Sequence, residues 1–291
     1  MSICLISRFK NEGHILYEFI HHYLLEGVDC FILIDDNSDD NYLINNKEWI
    51  NPLIKNRKIL IKKAKLPSKE QAKEYNLFLP KLRKFRWVIC CDLDEFSFGV
   101  PKNFNLKMVL NKKLFNYDYI IIPWKSFRHE SYKQPKSVIK DNIITHNNKI
   151  DPLVSSQGFK YIVKSNVIIR MDIHRCRINQ KGRILRFLDC HNNLIQINHY
   201  KTQSEEFLRG VKEMRGGSVH NGKYKKYTNH LSPIYNKKCL LLANKRINLI
   251  KKCYYKKQIR PKINKNSSFF LEINKNNNND NDNNDNDNQS K

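Results

Sequence analysis

The sequence lacks the features that announce several common classes of protein. It has no run of about 18 apolar residues, so no membrane-spanning helix is predicted. Met1 leads through Ile3 to Ile6 straight into the charged Arg8 to Glu12, too short an apolar segment for a signal peptide, and a cytoplasmic protein is expected. The eight cysteines form no C-x-x-C pair, and several lie in apolar runs such as Trp87 to Cys91. They read as reduced core thiols, neither a disulfide framework nor a zinc site. G-x-x-x-x-G-K, G-x-G-x-x-G and G-x-S-x-G are all absent, which removes support for P-loop, dinucleotide-binding and Ser-His-Asp chemistry. Acidic residues are scarce as well: 28 Asp and Glu against 53 Lys and Arg give a formal charge of +25. Glu272 and four aspartates against two lysines leave residues 272–291 at −3, so residues 1–271 carry +28. Such an excess concentrates anions at the surface, whether nucleotide diphosphates, nucleic acid or lipid headgroups. The abundance of Lys, Asn and Ile also fits A/T-rich coding, so charge alone does not choose among these.

What the sequence does have is a regular alternation. Ser2 to Ser7 reads as a buried strand. Ile15, Leu16, Phe19, Ile20, Tyr23 and Leu24 recur at helical spacing up to Gly27, and Cys30 to Ile34 reads as a second strand. A helix over Tyr42 to Ile54, a strand at Ile59 to Ile61, a helix opened by a Ser68/Gln71 capping box and running towards Phe85, and a strand at Trp87 to Cys91 follow. A helical pattern at Leu106 to Leu114 precedes a strand at Tyr119 to Ile122. This rhythm predicts an α/β fold with a mostly parallel central sheet, helices on both faces and ligands at the carboxyl ends of the strands. From Lys133 to Tyr200 the runs shorten into a smaller β-rich extension: Val138 to Ile144, Phe159 to Val163, Val167 to Met171, Ile184 to Phe187 and Leu194 to Asn198. A helix over Glu205 to Met214, with Thr202 and Glu205 as its capping box, comes next. The expected boundaries are a domain over 1–216, with a nucleotide-binding half at 1–125 and an acceptor and metal-completing half at 126–216. A basic helical region over 217–271 and an Asn/Asp-rich tail over 272–291, too poor in apolar residues to fold, complete the chain.

Chemistry concentrates at the predicted strand ends. Asp92 and Asp94 stand two apart after the apolar Trp87 to Cys91, so on an extended chain their carboxylates face one side and can share a hard cation such as Mg²⁺ or Mn²⁺. The spacing alone says little, since Asp280/Asp282 and Asp285/Asp287 repeat it in the tail; the preceding strand sets the first pair apart. Arg8-Phe-Lys-Asn-Glu12 and Asp35-Asp-Asn-Ser-Asp-Asp40 follow the first two strands. Arg8 and Asn11 suit a phosphate or ribose and the carboxylates suit ribose hydroxyls, although an Asx turn would use the same aspartates. His199 follows another strand and is either a nitrogen ligand or hydrogen-bonded structure. Glu130, after strand Tyr119 to Ile122, is either a general base for an acceptor hydroxyl or a surface carboxylate paired with Arg128 or Lys133.

Taken in order, Ser7-Arg-Phe-Lys-Asn-Glu12, Glu18 with His22 and Gly27-Val-Asp29, Ile34-Asp-Asp-Asn-Ser-Asp39, Trp87 with Asp92-Leu-Asp-Glu-Phe96, and Asn198-His-Tyr200 with Ser204-Glu-Glu-Phe207 resemble the family 2-like and family 92 glycosyltransferases over roughly residues 2 to 216. The resemblance implies a GT-A fold and a hexosyltransferase using a nucleotide-sugar donor, UDP-linked by the same resemblance. It implies a glycan, protein or lipid acceptor and a divalent Mn²⁺ or Mg²⁺ at Asp92 and Asp94, with His199 as a metal or diphosphate contact. Arg8, Asn11, Glu12, Asp35, Asp36 and Asp39 would line the nucleotide site. Family members often carry a Lys where this chain has Gln203, and many are membrane-anchored. The rival readings are a basic protein that binds nucleic acid or an anionic membrane through Tyr224 to Lys262, and a catalytically silent relative.

Overall fold

The computed structural model describes residues 2–129, 131–145, 158–188 and 192–214 and the strand pair 234–235. The first half is built as the alternation predicts. Strand β1 (Ile3–Phe9) is buried along its whole length, as is β2 (Cys30–Asp35), and helix α1 (Gly13–Leu25) joins them. Ile15, Leu16, Phe19, Ile20 and Tyr23 of α1 are buried, each contributing about 1.5–3 kcal/mol relative to exposure. The helix stops because Gly27 takes φ +87°, a backbone that an L side chain rarely adopts, while Gly27 N–H donates to Leu24 O at 3.1 Å and Val28 N–H to Tyr23 O at 2.9 Å.

Strands β3 (Ile59–Lys63) and β4 (Trp87–Cys90) pair in parallel on the outer sides of β2 and β1, giving the order β3-β2-β1-β4. In that register Phe9, Asp35 and Lys63 reach the same edge, with Cys90 alongside Ile6, three residues back from Phe9. The connections are the parallel crossovers expected of α/β units. Beyond β4 the sheet becomes mixed. β8 (Phe159–Lys164) runs antiparallel between β4 and β6 (Tyr119–Arg128), and β6 also takes β11 (Ile184–Arg186) and β12 (Ile195–His199) in parallel. β12 in turn pairs antiparallel with β5 (Glu95–Gly99), so the β-rich extension is continuous with the parallel half in one eleven-stranded sheet among the described residues. β7 (Ile144–Thr145) and β13 (Ile234–Tyr235) lengthen the far edge; β9 (Ile168–Met171) and β10 (Cys176–Ile178) form a separate hairpin.

Several local expectations give way to tertiary contacts. The helix expected over Tyr42 to Ile54 is divided at Asn46 into α2 (Tyr42–Asn45) and α3 (Lys47–Lys55), where the Asn46 amide donates to Tyr42 O and accepts from Trp49 Nε1, both at 2.8 Å. Ser68 forms no cap: a 3-10 turn over Ser68–Glu70 leads into α4 (Gln71–Leu77) and then α5 (Leu79–Leu82), with Pro80 unable to continue a hydrogen-bonded ladder from α4. Helix α6 (Leu106–Lys112) is capped by Asn105, which accepts from Met108 N–H at 2.9 Å. Val138–Asp141 is a helix, α7, not the expected strand, because Glu18 of α1 accepts from Val138 N–H at 2.8 Å and Ser137 accepts from Lys140 N–H. After β12, Ser204 and not Thr202 caps α8 (Glu205–Phe207), accepting from Phe207 N–H at 2.9 Å, and the chain continues as a π-helix over Leu208–Glu213. Thr202 accepts from His129 N–H at 3.3 Å instead.

Cys4, Cys30, Cys90, Cys91 and Cys176 are buried free thiols, as the sequence predicts. No helix among the described residues is long and apolar enough to cross a membrane. Of the basic region expected to be helical over 217–271, only Ile234–Tyr235 are described, and they form a strand paired with β7; the rest of that region, the boundaries at 216 and 271 and the tail lie outside the described residues.

Candidate active site

The sheet register brings the second acidic cluster together. β5 and β12 are antiparallel with Glu95 directly opposite His199, so the two side chains share a face of the ladder. Asp94 precedes β5 and is tied to the residue after β12 by Tyr200 N–H donating to Asp94 O at 2.8 Å. His199 Nε2 lies 3.6 Å from Asp94 Oδ1. Asp94, Glu95 and His199 are all buried and each offers one ligating atom within 4.8 Å of the others.

Two lysines balance these carboxylates. Lys160 of β8, 1 % exposed, donates to Asp92 Oδ2 at 2.9 Å and to Ile173 O at 3.1 Å, and its ammonium is 3.6 Å from Glu95 Oε2. Lys212, on the π-helix, donates to Asp94 Oδ2. Burial opposes the ionisation of Asp94, but Lys212 and His199 outweigh it and hold this carboxyl well below the usual range. Glu95 is pushed well above its ordinary range, first by burial and then by Asp92 and Asp94, with Lys160 pulling the other way. Burial likewise opposes the charge on Lys160, and Asp92 and Glu95 restore it. Even so, Asp94 Oδ1 and Glu95 Oε1 remain buried with no hydrogen-bond partner. Oxygens of that kind are costly unless something else binds them, and two carboxylates with an imidazole are a donor set suited to Mn²⁺ or Mg²⁺. The residues present therefore fit a divalent cation.

Of the sequence-predicted ligands, Asp94 and His199 meet. Asp92 is the more exposed of the three carboxylates, with its side chain 34 % accessible, and is held by Lys160. Trp124 of β6 packs against His199 with ring centroids 4.2 Å apart, and His174 makes a T-shaped contact with the indole at a centroid separation of 5.4 Å. Gly158 leaves room for this cluster, since a Cβ there would lie 1.8 Å from the indole.

The predicted nucleotide residues gather at the ends of β1 and β2 in a different manner. Arg8 bonds Asp36 at 2.9 Å, Leu66 O at 2.7 Å and Pro67 O at 3.4 Å, so it braces the loop after β3. Asp35 accepts from Ser38 N–H at 2.8 Å and from the Tyr42 hydroxyl at 3.2 Å. Asn11, at φ +54°, donates its N–H to Ser38 and accepts from Asp39 N–H at 2.8 Å. Glu12 is buried at the start of α1. Asp39 is exposed, and its carboxylate accepts no hydrogen bond among the described residues. Glu130, the expected base, lies outside the described residues.

Sequence reasoning passed over Glu95, Lys160, Lys212 and Trp124. Glu95 carried a signal, being the third carboxylate of Asp92-Leu-Asp-Glu, and so did Lys160, a lone cation within the apolar run Phe159 to Val163. Nothing local marks Lys212, which reaches Asp94 across 118 residues of chain.

No curated protein matches the chain. Among solved structures it is similar to GalNAc-T7 with UDP, GalNAc and Mn²⁺, at 9% identity and TM-score 0.41, covering 69% of this chain and 44% of that one. It is similar to TarS 1–349 of S. aureus in complex with UDP-GlcNAc, at 13% identity and TM-score 0.39, covering 69% and 59%. It is also similar to HddC from Yersinia pseudotuberculosis, at 13% identity and TM-score 0.38, covering 74% and 99%. The chain thus covers 44% and 59% of the first two proteins, and likenesses this distant add nothing to the site's own geometry. The sequence itself is more decisive. The profile of glycosyltransferase family 92 matches residues 1–289, nearly the full length, so that the chain belongs to glycosyltransferase family 92.

Proposed function

We propose that the protein transfers a sugar from a nucleoside-diphosphate sugar to an acceptor hydroxyl, with a divalent cation held by Asp94, Glu95 and His199 and with Asp92 beside them. The observation that carries this reading is the pair of buried carboxylate oxygens on Asp94 and Glu95 that lack a hydrogen-bond partner beside His199. Bound there, Mn²⁺ or Mg²⁺ supplies Lewis-acid stabilisation of the charge that develops on the leaving diphosphate. The chain's own residues prepare the place. Lys160, beside Asp92 and Glu95, and Lys212, beside Asp94, offset part of the charge of the three clustered carboxylates. Trp124, packed on His199 with the rings tilted 45° to one another, restricts the orientation of the imidazole. Arg8, by bracing Asp36 and the loop after β3, shapes the end of the parallel strands, where Asp39 presents a carboxylate to ribose hydroxyls. The base that takes the acceptor proton is assigned to Glu130 on sequence grounds alone. A UDP-linked hexose is the donor favoured by the family resemblance.

The test is a panel of nucleotide sugars with Mn²⁺ and with Mg²⁺, read by released nucleotide. UDP-linked donors are expected to be turned over best. Equal turnover of other donors removes the UDP assignment, and no release from any donor leaves a catalytically silent relative.

A further inference from the structure

The hairpin β9–β10 carries a feature that the transfer reading does not use. Its inward residues Met171 and Cys176 are paired and buried, and its outward residues Arg170 and Arg177 are paired and exposed. Two guanidinium groups directly opposite one another in a ladder repel, and such a pair persists at a cost unless an anion sits between them. Neither side chain forms an ion pair among the described residues. The hairpin is also fastened to a second basic element. Asn76 of α4 exchanges hydrogen bonds with Met171 at 2.8 and 2.9 Å, and Ser165, three residues before β9, bonds the backbone of Phe85 and Arg86, which brings in the exposed Arg83 and Lys84. Exposed large apolar side chains adjoin these segments: Ile169, beside Arg170 where the ladder register shifts, is 50% exposed, and Leu77, next to Asn76, is 56% exposed.

We propose that this face docks on a bilayer containing anionic phospholipids, with Arg170 and Arg177 clamping headgroup phosphates and Ile169 and Leu77 entering the interface. A bilayer surface satisfies both kinds of group at once, since basic side chains gain from the negative surface and half-exposed apolar ones gain from the acyl boundary. A nucleic-acid backbone would use the arginines and leave Ile169 and Leu77 in water. The hairpin also abuts the candidate active site. Ile173, in its turn, accepts from Lys160, the partner of Asp92, and the adjacent His174 packs on Trp124. Docking would hold that site beside the membrane, so the acceptor would be carried by a lipid or a membrane-bound chain. That consequence rests on the proposed transfer activity; the docking itself does not.

Sedimentation of the full chain with vesicles tests it. Wild type should bind phosphatidylcholine vesicles containing about 30% phosphatidylserine and fail to bind phosphatidylcholine alone. Removing two surface charges with Arg170→Gln/Arg177→Gln should lower binding about 30-fold. Lys47→Gln/Lys55→Gln, which removes the same charge from exposed positions of α3, should lower it less than about threefold. Arg170→Lys/Arg177→Lys should retain most of the binding, and Ile169→Ser should lose about fivefold. The Gln double variant should melt no lower than wild type, because it removes a repulsive pair. No binding by wild type, or equal losses in the two Gln double variants, overturns the proposal. Tighter binding to a single-stranded oligonucleotide than to the anionic vesicles, unaffected by Ile169→Ser, assigns the face to nucleic acid instead. Nucleotide release from a donor in solution, measured in parallel, reports on the transfer reading independently of any vesicle.

Discussion

Two strand ends in this protein are rich in aspartate, and they treat their carboxylates differently. After β2, Asp35, Asp36 and Asp40 are spent on the chain itself, on Ser38 and Tyr42, on Arg8 and on Gly13 N–H. After β4, Asp94 and Glu95 keep buried oxygens without a hydrogen-bond partner, despite two lysines close by. Asp40 Oδ1 is a single oxygen of that kind at the first end. The difference teaches that a dense acidic sequence marks a ligand site only where tertiary structure withholds hydrogen-bond donors from it. In the first loop Asp35, Asp36 and Asp40 serve as scaffold, and Asp39 alone is left exposed for the proposed donor. The second is the end to which the proposed function assigns a cation.

Changes that remove charge from the second end should have the largest effect. Asp94→Asn should reduce nucleotide release at least about 100-fold, as expected for loss of Lewis-acid stabilisation of several kcal/mol. It should also lower stability by about 3 kcal/mol, because it removes the buried carboxylate that pairs with Lys212. Adding Lys212→Met should restore the melting temperature and leave release low. Recovery of release by the double variant would erase the distinction between the two ends. Changes at the first end should divide by bonding. Asp35→Ala, which removes acceptors from Ser38 and Tyr42, should cost about 1–3 kcal/mol of stability, read by denaturant unfolding. Asp39→Ala should leave stability within about 0.5 kcal/mol and raise the donor KM about five- to tenfold. If Asp39→Ala unfolds the loop and leaves KM alone, the whole end is scaffold.

Burial alone sets a smaller contrast. It pushes the thiols of Cys90 and Cys176 up to about 12, so at pH 8 only about one in ten thousand is thiolate. The direction is unambiguous, since a raised thiol pKa removes nucleophile at every pH below it. Both cysteines should resist iodoacetamide in the native protein at pH 8 and react on unfolding, as read by peptide mass mapping. The smallest effect belongs to the tail: Asp280→Asn/Asp282→Asn repeats the Asp92/Asp94 spacing and should change neither release nor melting temperature.

The parallel half was legible because its strands and α1 are written in local periodicity, with Gly27 as punctuation. The strand-end position of Asp92 and Asp94 could be read for the same reason. The rest depended on pairings between distant segments. Val138 became helical because Glu18 reaches it from α1, and Glu95 joined His199 only through the β5–β12 register. Lys212 is invisible in its own neighbourhood, and Asp92, which spacing made an equal partner of Asp94, is held instead by a lysine on β8.

The most direct measurement is Mn²⁺ binding by electron paramagnetic resonance in the presence of UDP, following the loss of the free-ion signal. About one tight site per chain is expected, unchanged in Asp280→Asn/Asp282→Asn and weakened about 10–100-fold by His199→Ala or Glu95→Gln. Wild-type affinity in both His199→Ala and Asp94→Asn/Lys212→Met would contradict it, because no cation would then be held where the buried oxygens are.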